Sequence, residues 1–179
     1  TIFRSPDAVR RMLRENALGF QEALEFVQEK EEWGVKGFAH RGCLREAALR
    51  RDPELCEMAE KLAVSARNRP GSAFFLKRRM DDLAEQRRME REAELIQAAA
   101  TALRDSVVQL ASLPSPRIQG EGEEMVLNLA CLVLRDAVQP FLAEVRRWNE
   151  AAEDHGLRLV ASGPWPPYNF SPRLGNDAR

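Results

Sequence analysis

The chain has little of what enzymes, metal sites and membrane spans are made from. Its 179 residues include two histidines and three cysteines, Cys43, Cys56 and Cys131, and no CxxC pair. A structural zinc site wants four ligands, usually in two close pairs, so His40, Cys43 and Cys56 fall short of one, and no cofactor is expected. An odd number of cysteines at unrelated spacings fits reduced thiols and predicts a cytosolic protein. No GxxxxGK[ST], GxGxxG or HExxH occurs, and the glycines of GEGEE (120–124) sit among carboxylates that repel phosphate. No apolar run approaches the roughly 18 residues of a membrane helix. Charge of one sign is missing too. With 27 basic and 28 acidic residues interleaved, net charge is −1, and no global field recruits nucleic acid or an anionic membrane.

What is present is globular and helix-rich: 44% hydrophobic and 31% charged residues, enough chain for one sizeable core. Ser5, Pro6 and Asp7 start a helix whose apolar stripe (Val9, Leu13, Ala17, Phe20, Leu24, Val27) runs to about Lys30. EWGVKGFAH then alternates as a short strand, with Trp33, Val35 and Gly37 on one face and Gly34, Lys36 and Phe38 on the other. Residues 41–71 read as a connector of two short helices, the second capped by Asp52 with Pro53 at its first position.

From Ser72 to about Asp105 strong helix formers continue without a Pro or Gly. This helix is apolar at both ends and polar through AEQRRMERE, a pattern that predicts projection from the body, with Arg88–Glu92 pairs supporting it in water. SVVQLASLP reads as a strand and MVLNLACLVL as a central one. A helix is expected from Asp136 to His155, with Pro140 in its first turn, His155 as a partner for the dipole at its C-terminus, and Gly156 as a left-handed end residue. LRLVASG is the last strand.

The fold class is therefore α+β: ferredoxin-like antiparallel sheet units with a long projecting helix and a helical connector. The domains are 1–40, the last helix and strand of an N-terminal ferredoxin-like unit; 41–71, the connector; 72–172, a C-terminal α+β domain; and 173–179, a tail. The alternative is that the strand near Trp33 opens a β-α-β-β-α-β domain completed by the elements from residue 72 onward.

Candidate chemistry is thin. Cys43, His40 and Glu46 assemble a nucleophile, base and carboxylate on paper, with no local signature behind them. Lys77, Arg78 and Arg79 form a basic run, balanced by Asp81 and Asp82, that is either a solvated face or a contact for a partner. In SGPWPPYNFSP (162–172) the prolines fix φ and remove donors, so the chain should leave its ladder after Gly163 and run extended. Trp165 then plugs the C-terminal core, while Tyr168 and Phe170 are better placed for an interface.

Four motifs, EWGVKGF, RPGSAFFLKRR, GEEMVLNLACLV and LRLVASGPWPPYNF, in this order and over residues 1–171, together resemble the GvpL/GvpF family of gas-vesicle accessory proteins. Gly37 stands where that family has Val, Phe75 and Cys131 where it has Tyr, and Asn169 where it has Ser. The resemblance implies no enzyme but an assembly factor, cytoplasmic and gas vesicle associated. Its implied partners are the hydrophobic, GvpA-type shell protein and other accessory proteins. The expected contacts are Trp33, Val35, Lys36 and Phe38 on a sheet face or edge, Arg78 and Arg79, and Trp165, Pro167, Tyr168 and Phe170 in the tail. A ferredoxin-like ligand-sensing module, a scaffold for another assembly and a small hydrolase using Cys43 are the alternatives.

Overall fold

Local chemistry sets the element ends in the computed structural model, which describes residues 5–68, 70–115, 122–151 and 156–171. Helix α1 (Pro6–Glu15) is capped by Ser5, whose Oγ accepts from the Ala8 amide at 3.2 Å. The single helix expected to Lys30 is broken at Asn16, whose side chain donates back to the Met12 carbonyl at 2.9 Å, and α2 (Ala17–Val27) comes after it. Strand β1 spans Lys30–His40, and helices α3 (Arg41–Arg51), α4 (Pro53–Asn68) and α5 (Pro70–Arg104) come next. His40 Nδ1 caps α3 by accepting from the Cys43 amide, and Asp52 caps α4 by accepting from Leu55. Strands β2 (Gln109–Ser112) and β3 (Glu123–Leu134), helix α6 (Val138–Glu150) and strand β4 (Leu157–Trp165) complete the order, with a short 3-10 turn at Tyr168–Phe170. His155 and the 173–179 tail lie outside the described residues.

The four strands form one antiparallel sheet in the order β2-β3-β1-β4. Taken with the sequence of elements, this is the ferredoxin-like order, the first crossover being made by three helices instead of one. Strand β1, assigned from sequence to an N-terminal unit, is an inner strand of this sheet. Its register runs through Trp33–Cys131 on one side and Lys36–Val160 on the other. The alternation expected of β1 holds: Val35, Gly37 and Ala39 are buried while Lys36 is exposed.

One face of the sheet meets α3, the end of α5, and α6. Val35, Leu129, Cys131, Val133, Leu157 and Leu159 from the strands close on Leu44, Leu95, Leu103, Phe141 and Val145 from the helices. Each such side chain contributes about 1.5–3 kcal/mol. On the other face Ala130, Leu132 and Phe170 form a smaller cluster, against Ala111 and Leu113. Covered on both sides, β3 needs the near-continuous apolar run that marked it as central.

Helix α5 does not stand alone in water. Its end is core, and its middle carries buried Ala84 and Arg88. Asp52 at the start of α4 accepts from Arg87 at 2.9 Å, and α4 ends at Asn68, just before α5 begins, so the two helices run antiparallel as a hairpin. Arg88, expected on a solvated flank, is buried between Glu85 (2.9 Å) and Glu92 (2.5 Å), while Arg41 lies 2.5 Å from buried Glu124 nearby. Hydrogen bonding from Arg88 is the largest cause holding the Glu85 carboxyl below its usual range. The helix tolerates a polar middle because that polarity is paired.

A candidate partner-binding face

The outer face of the sheet is built by the period of two. Glu32, Gly34, Lys36 and Phe38 of β1 point away from the helices, and the register sets Lys36 beside Val160 and Asn128, and Phe38 beside Arg158. The Arg158 guanidinium lies 5.2 Å from the Phe38 ring centroid and donates to Glu123 at 2.8 Å. That hydrogen bond is the largest cause lowering the Glu123 carboxyl below its ordinary range. Lys36 is exposed, as are Val160 and Arg158.

Part of this face is clad by the chain's own end. The buried Glu32 carboxylate accepts two bonds from Asn169, from its amide N–H at 2.9 Å and from Nδ2 at 2.6 Å. Charge-assisted bonds of this kind are short and strong, and here they fix the last turn on the sheet. Phe170 is buried on Leu132 and Ala130 as a result. Tyr168 N donates to Pro166 O at 2.7 Å and Phe170 N to Pro167 O at 3.2 Å, leaving Tyr168 on the outside of the turn, 77% exposed.

The expected division among the tail aromatics thus holds for Tyr168 and is reversed for Trp165 and Phe170. Trp165 is 54% exposed and donates from Nε1 to Ser162 Oγ at 3.4 Å, so it plugs no core, whereas Phe170 is buried. The reason lies at Gly163, whose φ is 152°. A Cβ there would meet the Trp33 ring at 2.9 Å. Trp33, which also faces Phe141 at 6.3 Å between centroids, already occupies the space expected for Trp165. Its buried Nε1 has no acceptor among the described residues, so shape holds it. The ladder also continues past Gly163, since Trp165 pairs with Glu32 across an irregularity. An edge strand tolerates the missing proline donor.

Strand addition at WGVKGF is excluded, because β1 is paired on both sides. The free edge of β4 is partly closed as well. The Asn149 side chain bonds both the Leu159 carbonyl (2.7 Å) and its amide (2.8 Å), and Trp148 Nε1 donates to Leu157 O at 3.1 Å. What β1 itself offers a partner is its outer face, not an edge. Of the expected contacts, Lys36, Phe38, Trp165, Pro167 and Tyr168 lie on or beside the outer face. Val35 is fully buried, Trp33 faces the helices, and Phe170 is internal. Arg78 and Arg79 are exposed on α5, about 24 Å along its axis from Leu95, where that helix enters the core. Glu32 and Asn169 escaped sequence reading; the available signal was a carboxylate at an alternating position of a buried strand.

No catalytic set is assembled at Cys43. His40 Nδ1 accepts from the Cys43 amide at 3.2 Å, so that nitrogen serves the helix cap and not the thiol. Cys131 is buried, and burial pushes its thiol up to about 12. In the folded protein a disulfide thiol reagent should modify exposed Cys43 and spare Cys131, with Cys131 reacting only after denaturant is added. Rapid native labelling of Cys131 would contradict this core. The groove between α5 and β3, about 450 Å³, is lined by Met89, Ile96 and Met125, and its buried charges Arg88 and Glu124 are already paired. Among the described residues no group of three His, Cys, Asp or Glu is placed to hold a metal. No described helix is long and apolar enough to cross a membrane.

The architecture defines a mixed helix and antiparallel-sheet protein of ferredoxin-like strand order. The chain belongs to the gas vesicle synthesis protein GvpL/GvpF family, whose model matches residues 1–172. Gas vesicle protein L of Streptomyces sp. (strain CB03234) is 30% identical over 176 residues, covering 96% of this chain and 59% of that protein. Gas vesicle protein F of the same strain is 29% identical over 164 residues, covering 92% and 64%. The crystal structure of GvpF from Microcystis aeruginosa superimposes with a TM-score of 0.64 at 17% identity, covering 97% of this chain and 67% of that one. GvpF from Anabaena sp. PCC7120 gives 0.65 at 17%, covering 92% and 63%. The chain therefore spans about three fifths of the length of these curated relatives.

Proposed function

We propose that this chain is a non-enzymatic accessory protein of gas-vesicle assembly that works in the cytoplasm. It binds the hydrophobic shell protein, and other accessory proteins, through the outer sheet face and the tail turn. The carrying observation is the exposure of Trp165 and Tyr168 on a stiff, self-anchored segment beside Val160 and Lys36. Aromatic anchors held in place before binding lose little conformational freedom on contact. Pro164, Pro166 and Pro167 restrict the backbone between them.

The test is co-expression with a GvpA-type shell protein, followed by affinity purification and quantification of the captured partner. Trp165→Ala with Tyr168→Ala should cut capture about tenfold or more. Circular dichroism should be unchanged, because both side chains are exposed. Undiminished capture by that folded variant would remove the tail from the contact, and no capture by the unaltered chain would sink shell binding itself.

A further inference from the structure

The start of α5 carries a second surface that the sheet face does not explain. Phe74 and Phe75 meet edge to face, with centroids 5.8 Å apart, and are 64% and 72% exposed. At 100° per residue Arg78 lies one turn beyond Phe74, and Arg79 one turn beyond Phe75. Buried Ala73 and Ala84 occupy the opposite, α4-facing side.

The basic run is not neutralised as its sequence predicts. Asp81 is turned away to pair with Arg45 of α3, leaving Lys77, Arg78 and Arg79 exposed, without an ion pair among the described residues, and with Asp82 alone nearby. We infer that this outer side of α5 docks an acidic amphipathic helix of a partner protein. The apolar face of that helix lies on Phe74 and Phe75, and its carboxylates meet Arg78 and Arg79. An exposed aromatic pair with an exposed basic pair one turn further on suits an amphipathic helix laid along α5. Asp82, one turn past Arg78, interrupts the cationic field that an anionic membrane would need.

The probe is a labelled peptide of about 18 residues in which leucines form one helical face and glutamates flank it, titrated into the full chain by fluorescence anisotropy. A lysine-for-glutamate counterpart and phosphatidylglycerol vesicles are titrated in parallel. The acidic peptide should bind saturably and the lysine peptide should not. Phe74→Ala with Phe75→Ala should weaken binding about tenfold or more, and Arg78→Glu with Arg79→Glu should transfer the preference to the lysine peptide. All four positions are exposed, so the helical signal should survive these changes. The Trp165→Ala, Tyr168→Ala variant should bind the acidic peptide normally, which separates this surface from the sheet face. Absence of saturable binding, equal binding of both peptides, unaltered affinity in either hairpin variant, or binding to vesicles without binding to the peptide would each overturn the inference.

Discussion

Replacing Phe141 with alanine should cost about 3–5 kcal/mol of stability, close to the whole reserve of a small domain. Phe141 has no exposed surface and fills the space between α6 and the sheet, facing Trp33 and joining the cluster of Val35, Leu129 and Leu159. Its removal leaves a cavity that the rigid ladder of β1 cannot collapse into, because β1 is paired on both sides. In urea titrations the midpoint should fall with the slope nearly unchanged. Trp33, held by shape with no acceptor for its indole N–H among the described residues, should gain freedom, and native fluorescence should shift to the red. A loss below about 1 kcal/mol would mean that α6 does not close the core as described.

Gly163→Ala should be the second most damaging change, at about 2–4 kcal/mol. Two causes add. The backbone conformation at φ 152° disfavours any side chain, and the new Cβ would stand 2.9 Å from Trp33 Cδ2 and 3.1 Å from the Glu32 carbonyl. A double-mutant cycle with Trp33→Leu separates them. The smaller side chain should recover the part due to ring contact and leave the backbone part in place. If Gly163→Ala were neutral, Trp165 would not owe its outward position to a crowded Gly163–Trp33 crossing.

Element identity was largely legible. Ser5, Asp52 and Pro53 announced helix starts through caps that the structure contains. Alternation in EWGVKGFAH separated Val35 from Lys36 correctly, and Gly156 takes the left-handed conformation expected of it, with φ 74°. The four motifs identified the family, and its model covers residues 1–172. The middle of α5 misled because Arg88 is the same letter whether it stands in water or is buried against Glu85 and Glu92 of its own helix. Only the approach of α3 and α4 tells the two apart.

By itself, then, the sequence determined most of the helices, the strands, the two faces of β1 and the family. The tertiary structure alone decided which strands neighbour β1, which aromatic lies inside, and which carboxylate holds the tail. Those outcomes depend on pairings far apart in the chain, Glu32 with Asn169 and Trp33 with Gly163. Periodicity assigns a side chain to a face of its own element; what comes to rest on that face is set only when the last turn folds back across the sheet.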